Sequence, residues 1–342
     1  MSEDFLRGDA AIATLSGKRV LVTGAGGFIG GHVVQALVAA GATVRALVHY
    51  NGRNDWGSLD ELDADERAGL DIVAGDVRDP HQMMRVVDGC DVVLHLAALI
   101  AIPYSYAAPQ SYVETNVSGT LNVLEAARMH GTPRVVVTST SEVYGSARYV
   151  PIDLEHPLQG QSPYSASKIG ADKIAESYHL SFGLPVVTLR PFNTYGPRQS
   201  DRAVIPTIAA QLVAKVPALR LGRIDPVRDF LYVGDTARAF LLAGSVSGID
   251  GRTLHVGTGV GVTIGDVAER LMAVAGHIVP IETEQRRLRP EGSEVERLLC
   301  DASVANEVLG FAPRVGLDEG LGHVYASVER RIASYRPDRY QR

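Results

Sequence analysis

Two periodicities alternate along the first half of the chain. Short β-branched runs at 19–23, 43–49, 71–74, 92–96, 134–139 and 185–190 read as strands. Between most of them apolar residues recur at helical spacing, notably over 29–40, 112–130 and 164–182. Strands alternating with helices predict βαβ units and an α/β fold built on a doubly wound parallel sheet with right-handed crossovers. Such a sheet binds ligands at the carboxyl ends of its strands.

After Arg190 the pattern changes. Proline and arginine become frequent, elements shorten, and connections lengthen, as over 280–296. This predicts a flexible tail over 1–16 and a sheet domain over 17–190. A smaller interleaved domain, 191–229 and 258–342, is expected to lie over the ligand edge. Residues 230–257 are expected to return to the sheet, because 253–256 reads as a further strand.

Composition narrows the function. A length of 342 residues suggests roughly two structural units at about 150 residues each. With 46% hydrophobic and 21% charged residues the chain is globular rather than disordered. The net charge of −6 argues against a nucleic-acid partner. Two cysteines, Cys90 and Cys300, are too few for a disulfide framework or a cysteine-based zinc site, and no metal centre is expected. Without a basic leader or a long apolar stretch, the chain reads as cytoplasmic and not membrane-bound. Only four of the 33 cationic residues are lysine, and glycine, at 35, is in excess.

The first chemical signal is the run from the strand at 19–23 into Gly24-Ala-Gly-Gly27-Phe28-Ile29-Gly30 and then a helix. Glycines here permit a tight turn, close backbone approach to a pyrophosphate and close helix–strand packing, while the helix N-terminus offers free N–H groups. The expected ligand is a dinucleotide. NAD sites carry an acid at the end of the second strand. This one ends at His49 with Arg53 shortly after, a pair suited to a 2′-phosphate, so NADP is favoured over NAD. Asp76 and Val77 follow the third strand, where a carboxylate can accept from the adenine amino group. Leu96, Ala97 and Ala98 end the fourth strand and leave room for the cofactor, while His95 reads as a packed histidine.

The second signal is Tyr164-Ser-Ala-Ser-Lys168. Four residues apart on a helix, phenol and ammonium share a face, and the cation is expected to lower the tyrosine pKa from about 10 toward that of a general base. The fifth strand ends in Thr140-Ser141-Glu142. Its threonine hydroxyl can share a substrate hydroxyl with Tyr164. A glutamate at the rim of a partly dry site could, with a raised pKa, take a carbon-bound proton.

Together these residues resemble the extended short-chain dehydrogenase/reductase superfamily, in its NAD-dependent epimerase/dehydratase branch. The resemblance runs from Gly17 to about Tyr325 and includes Asn116-Val-Ser-Gly-Thr120, Arg190-Pro-Phe-Asn-Thr-Tyr-Gly-Pro-Arg198 and Arg228-Asp-Phe-Leu-Tyr-Val-x-Asp235. It implies a Rossmann-type fold with Thr140, Tyr164 and Lys168 as catalytic hydroxyl, base and lysine. Asn116 would help to place the lysine, and Pro191 and Asn193 would border the nicotinamide. Asn193, Arg198, Arg228 and Arg289 would hold a nucleotide-sugar diphosphate. Helices 112–130 and 164–182 would form a four-helix homodimer interface. The string 97–106 is most similar to UDP-N-acetylglucosamine 4,6-dehydratases of the legionaminic-acid type. This implies C4 oxidation, loss of water and return of hydride, with Ser141 or Glu142 guiding protonation of the leaving hydroxyl. The alternatives are a UDP-glucuronate decarboxylase or 4-epimerase on the same fold, and a regulatory protein that senses its cofactor.

Overall fold

The computed structural model describes residues 3–6, 8–288, 292 and 294–337. Strands β1 (Arg19–Thr23), β2 (Thr43–His49), β3 (Asp71–Gly75), β4 (Val92–His95), β5 (Val135–Thr138) and β6 (Val186–Pro191) form one sheet with the strand Thr253–Val256. The order is Thr253–Val256, β6, β5, β4, β1, β2, β3, and every pairing is parallel. The chain runs outward in one direction from β1 to β3 and in the other from β4 to β6. A crevice therefore opens at the carboxyl ends between β1 and β4.

The period of two sorts the strand side chains. Val20, Val22, Val92, Leu94 and Val136 enter the core on one face, and Leu21, Val93, Val135 and Val137 the core on the other. Helices α1 (Phe28–Ala39), α2 (Pro80–Val87), α3 (Gly119–His130), α4 (Pro163–Phe182), α5 (Val204–Val213), α6 (Val233–Ser245), α7 (Ile264–Ala275) and α8 (Leu317–Arg330) complete the layers. Helices α1 and α6 cover the first face; α2, α3 and α4 cover the second. The sheet is the doubly wound, Rossmann-like α/β form that the alternation predicts.

The second layer sits at the sheet's carboxyl edge. Val227–Tyr232 pairs in parallel with Asn193–Tyr195 and Arg297–Leu298 and antiparallel with Gly261–Thr263. Leu219–Leu221 pairs with Ile281–Thr283, inside the stretch expected as a long connection. Helices α5, α7 and α8 enclose this layer's own core around Ile208, Leu271 and Val324.

Three expectations need correction. Leu6 and residues 8–16 pack rather than hang free: Leu6, Ile12 and Leu15 enter the core beside α1. There Asp9 takes two hydrogen bonds from Arg238, at 2.7 and 2.8 Å, and one from Arg314. The expected helix over 112–130 is broken into Pro109–Tyr112, a wide π-helical turn at Val113–Ser118, and α3. Finally, the return to the sheet begins at α6, since Phe230–Tyr232 is still paired with Asn193–Tyr195.

Candidate active site

A cavity of about 740 Å³ lies between the sheet's carboxyl edge and the second layer. On the sheet side, β1 turns at Gly24, whose φ of +69° suits glycine. A Cβ there would stand 2.8 Å from the Ala97 nitrogen, and one on Gly30 would fall on the Gly24 carbonyl. Close packing of turn, β4 and α1 thus requires both glycines. Helix α1 starts at Phe28 after Gly27 and has no acidic residue in its first turn. Its free N–H groups and positive dipole end are open to an anion, and Gly24, Gly27, Phe28, Ile29 and Gly30 all line the cavity. These features fit the pyrophosphate of a dinucleotide.

Leu96, Ala97 and Ala98 form the adjoining wall. The Thr23 hydroxyl accepts from the Leu96 and Ala97 N–H groups, each at 3.1 Å, and bonds His95 Nδ1 at 2.8 Å. Burial holds His95 neutral, its pKa pushed down to about 3, so it is a packed residue as read from the sequence. At the far end His49 lines the cavity but Arg53 does not; Asp55 does. Asp76 and Val77 lie at the end of β3 outside the lining. The Asp76 carboxylate is engaged by Arg78 at 2.6 Å, which holds its pKa below the usual range.

Helix α4 carries the catalytic candidates. Ser162 caps it by accepting from the Ser165 N–H at 3.1 Å, and Pro163 opens its first turn. Tyr164, Lys168 and Asp172 follow at four-residue intervals on one buried face. Lys168 Nζ donates to the Thr138 carbonyl at 2.5 Å, and burial lowers its pKa to about 8. Tyr164 is hydrogen-bonded to the Thr140 side chain. Its pKa stands well above the ordinary value, chiefly through burial and then through the nearby Glu142 charge, against the Thr140 bond. The sequence led us to expect the opposite direction. Lys168 turns its ammonium to the Thr138 carbonyl, and desolvation of the phenolate by burial decides the direction.

Thr140 caps the turn Ser141–Tyr144 by accepting from the Glu142 N–H at 3.2 Å, and Thr140, Ser141 and Glu142 all line the cavity. Asn116, on the π-helical turn, is buried behind it. Its amide accepts from the Leu99 N–H and donates to the Leu99 carbonyl and to Ser167 of α4, at 2.8–2.9 Å. It ties the loop after β4 to α4 through Ser167 rather than through Lys168.

Across the cavity stand Pro191, Asn193 and Arg228. Asn193 Oδ1 is buried without a hydrogen-bond partner, and Arg228 lies 3.6 Å from Glu294. Arg198 does not line the cavity. With φ at +68°, it turns its guanidinium onto α1, donating to His32 Nδ1 at 2.8 Å and Gln35 Oε1 at 3.2 Å. Arg289 lies outside the described residues. Arg202, Arg223 and Arg287 also line the cavity. No spacing singled them out; the arginine excess was the only signal. Asp172 was missed too, although extending the Tyr164–Lys168 spacing by one turn reaches it.

Residues 21–324 match the family model for GDP-mannose 4,6 dehydratase. The chain is 34% identical over 317 residues to a dTDP-glucose 4,6-dehydratase of Actinoplanes sp., covering 90% of this chain and 97% of that one. It is 34% identical over 310 residues to a UDP-glucose 4-epimerase of Mycolicibacterium smegmatis, covering 89% and 96%. Among solved structures, DesIV, a dTDP-glucose 4,6-dehydratase from Streptomyces venezuelae with NAD bound, superposes with a TM-score of 0.83 at 32% identity, covering 93% and 99%. The chain belongs to the GDP-mannose 4,6 dehydratase family, within the NAD-dependent epimerase/dehydratase branch of the extended short-chain dehydrogenases. Among the described residues, no helix is long and apolar enough to cross a membrane.

Proposed function

We propose that the protein is a nucleotide-sugar 4,6-dehydratase. The observation that carries this reading is Glu142, a carboxylate in the lining of the cavity, two residues past the threonine bonded to Tyr164. A bound nicotinamide supplies the hydride acceptor and donor, so there is no net redox change. Tyr164, as the phenolate that Lys168 and the positive ring of an oxidised nicotinamide would favour against its burial, takes the C4 hydroxyl proton, with Thr140 bridging it to the sugar and Lys168 fixed at the Thr138 carbonyl. The C4 ketone acidifies the C5 proton, which Glu142 removes as the C6 hydroxyl leaves as water, its protonation guided by Ser141 or Glu142. The elimination leaves a C5–C6 double bond, and a hydride from the reduced nicotinamide at C6 with a proton at C5 would complete the 4-keto-6-deoxy sugar.

The substrate we propose is UDP-N-acetylglucosamine. It rests on the string 97–106, of which Ala97, Ala98, Ile100, Ile102 and Pro103 line the cavity. Asn193, Arg228 and, by resemblance, Arg289 are the proposed diphosphate contacts. The described residues of 191–232 and 258–337 supply the proposed substrate wall. For the cofactor we propose NAD rather than NADP. Asp55 in the lining suits a ribose diol and repels a 2′-phosphate, while Arg53 stands outside. A larger thermal shift with NADP than with NAD would reverse that choice.

Incubation with UDP-N-acetylglucosamine, GDP-mannose, dTDP-glucose and UDP-glucuronate, with product masses followed, tests the reaction. Loss of one water from a hexose is expected; an isomer of unchanged mass would instead make the protein a 4-epimerase. One observation favours the decarboxylase alternative. Arg202 faces the cavity with no carboxylate partner among the described residues, and could meet a C6 carboxylate. Loss of carbon dioxide from UDP-glucuronate would establish that reading.

We further propose a homodimer. Leu121 and Met129 on α3 and Leu180 and Phe182 on α4 are exposed apolar side chains on the helices expected to pair. Sedimentation at monomer mass would refute it.

A further inference from the structure

Behind the reacting groups lies a buried polar chain that the mechanism above does not use. Asp172 Oδ2 accepts from Ser139 Oγ at 2.6 Å and from Arg190 Nε and an Arg190 terminal nitrogen at 3.2 and 2.9 Å. The other terminal nitrogen of Arg190 donates to the Tyr144 hydroxyl at 2.6 Å, and the guanidinium stands 5.3 Å over the Tyr144 ring. That hydroxyl also bonds His255 Nε2. Burial keeps His255 neutral, with its pKa near 4, so one hydrogen bond joins phenol and imidazole while Arg190 donates to the phenol oxygen. All five residues are buried.

The chain joins elements that carry different parts of the chemistry. Asp172 is one turn beyond Lys168 on α4, Ser139 precedes Thr140, and Arg190 lies on β6. Tyr144 ends the short turn that carries Glu142. Through these bonds that turn is held by its phenol to the catalytic helix. We propose that Tyr144 is a positioning residue that fixes Glu142 relative to Tyr164, and so serves the elimination more than the C4 oxidation. This rests on the dehydratase reading.

The geometry makes the effect selective. The Tyr164–Thr140 and Lys168–Thr138 bonds persist when the Tyr144 hydroxyl is removed, because neither passes through it. The turn of Glu142 keeps its backbone bonds, Gln159 N–H to the Val143 carbonyl at 2.8 Å among them, and loses its side-chain tie to Arg190 and α4. A carboxylate displaced by a fraction of an ångström from a carbon-bound proton loses rate steeply, whereas substrate affinity is set elsewhere in the cavity.

The test is Tyr144→Phe in the full chain with its bound nucleotide, beside wild type. Product mass, the near-ultraviolet absorbance of reduced nicotinamide after substrate addition, and the thermal midpoint are followed together. A fall in kcat of about tenfold is expected, with KM changed by less than about twofold and reduced nicotinamide accumulating on the enzyme. Should Tyr144→Phe fold poorly, Arg190→Lys keeps a cation beside Asp172 but loses the arm to Tyr144, and the same accumulation is expected. Unchanged kcat overturns the proposal. So does a fall without accumulation, since oxidation and elimination would then have slowed together. A wild type that releases no water from any hexose substrate overturns the dehydratase reading itself, and this inference with it.

Discussion

The two walls of the cavity are built on opposite principles. On the sheet side Tyr164, Lys168, Asn116 and Asp172 are buried and bonded to neighbours on the same wall. On the other side three of the four lining arginines meet acids of their own layer: Arg223 with Asp225 and Glu296, Arg228 with Glu294, and Arg287 with Glu284. The first wall is preorganised, so little rearrangement is needed when charge develops on the sugar. On the proposed function, the second exchanges carboxylate partners for the phosphate oxygens of a diphosphate, which tunes affinity and specificity more than the chemical step.

The sharpest break of this contrast is Lys168→Met. Activity is expected to fall by about a thousandfold or more. Stability should move the other way. The unfolded chain keeps this lysine's proton up to about pH 10.5, whereas the folded protein releases it near pH 8. Between those values the unfolded state binds more protons, so the lysine's contribution rises with pH across that window, and below it the buried charge is a cost. Removing it should stabilise the protein by about 1–2 kcal/mol at neutral pH after the lost Thr138 bond is counted. The stability rise above pH 8 should be weaker in the variant. Urea unfolding at pH 7 and 9 reads both; a destabilised variant would contradict the buried-charge account.

Glu142→Gln comes next. Dehydration should drop by about 10²–10⁴-fold while substrate still reduces the bound nicotinamide. Dehydration at the wild-type rate would remove Glu142 from its role. On the opposite wall, Arg228→Ala should raise KM by about tenfold or more with kcat changed far less. A loss confined to kcat would erase the distinction between the walls. The smallest effect on activity is expected at Asp9→Asn, remote from the cavity. It leaves Arg238 buried without its ion pair and should cost about 3 kcal/mol in urea unfolding, with kcat/KM unchanged.

Much of the first wall was legible in the chain because its signals are local. Strand spacing, the Gly24–Gly30 turn and the Tyr164–Lys168 interval each lie within one element or one turn, where periodicity and steric freedom decide the outcome. The second wall was not legible in this way. Arg198 sits within a recognisable motif, yet a left-handed backbone turns it onto His32 and Gln35, which are remote in sequence. Arg202, Arg223 and Arg287 reach the cavity from loops and element ends with no fixed period. The helix expected over 112–130 has the right apolar spacing. It still widens at Val113–Ser118, where buried Asn116 bonds Leu99 and Ser167.

By itself, the sequence determined the alternating α/β architecture, the parallel sheet, the dinucleotide turn and the residues most suited to acid–base chemistry. These follow from 2.0 and 3.6 residue periods, glycine's freedom at positive φ, and residue type. Tertiary structure decided which charged groups face the cavity. It packed the N-terminal segment beside α1 and tied it to α6 through Asp9 and Arg238. It also set the direction of the Tyr164 pKa, because desolvation and long-range ion pairing depend on what surrounds a group in space.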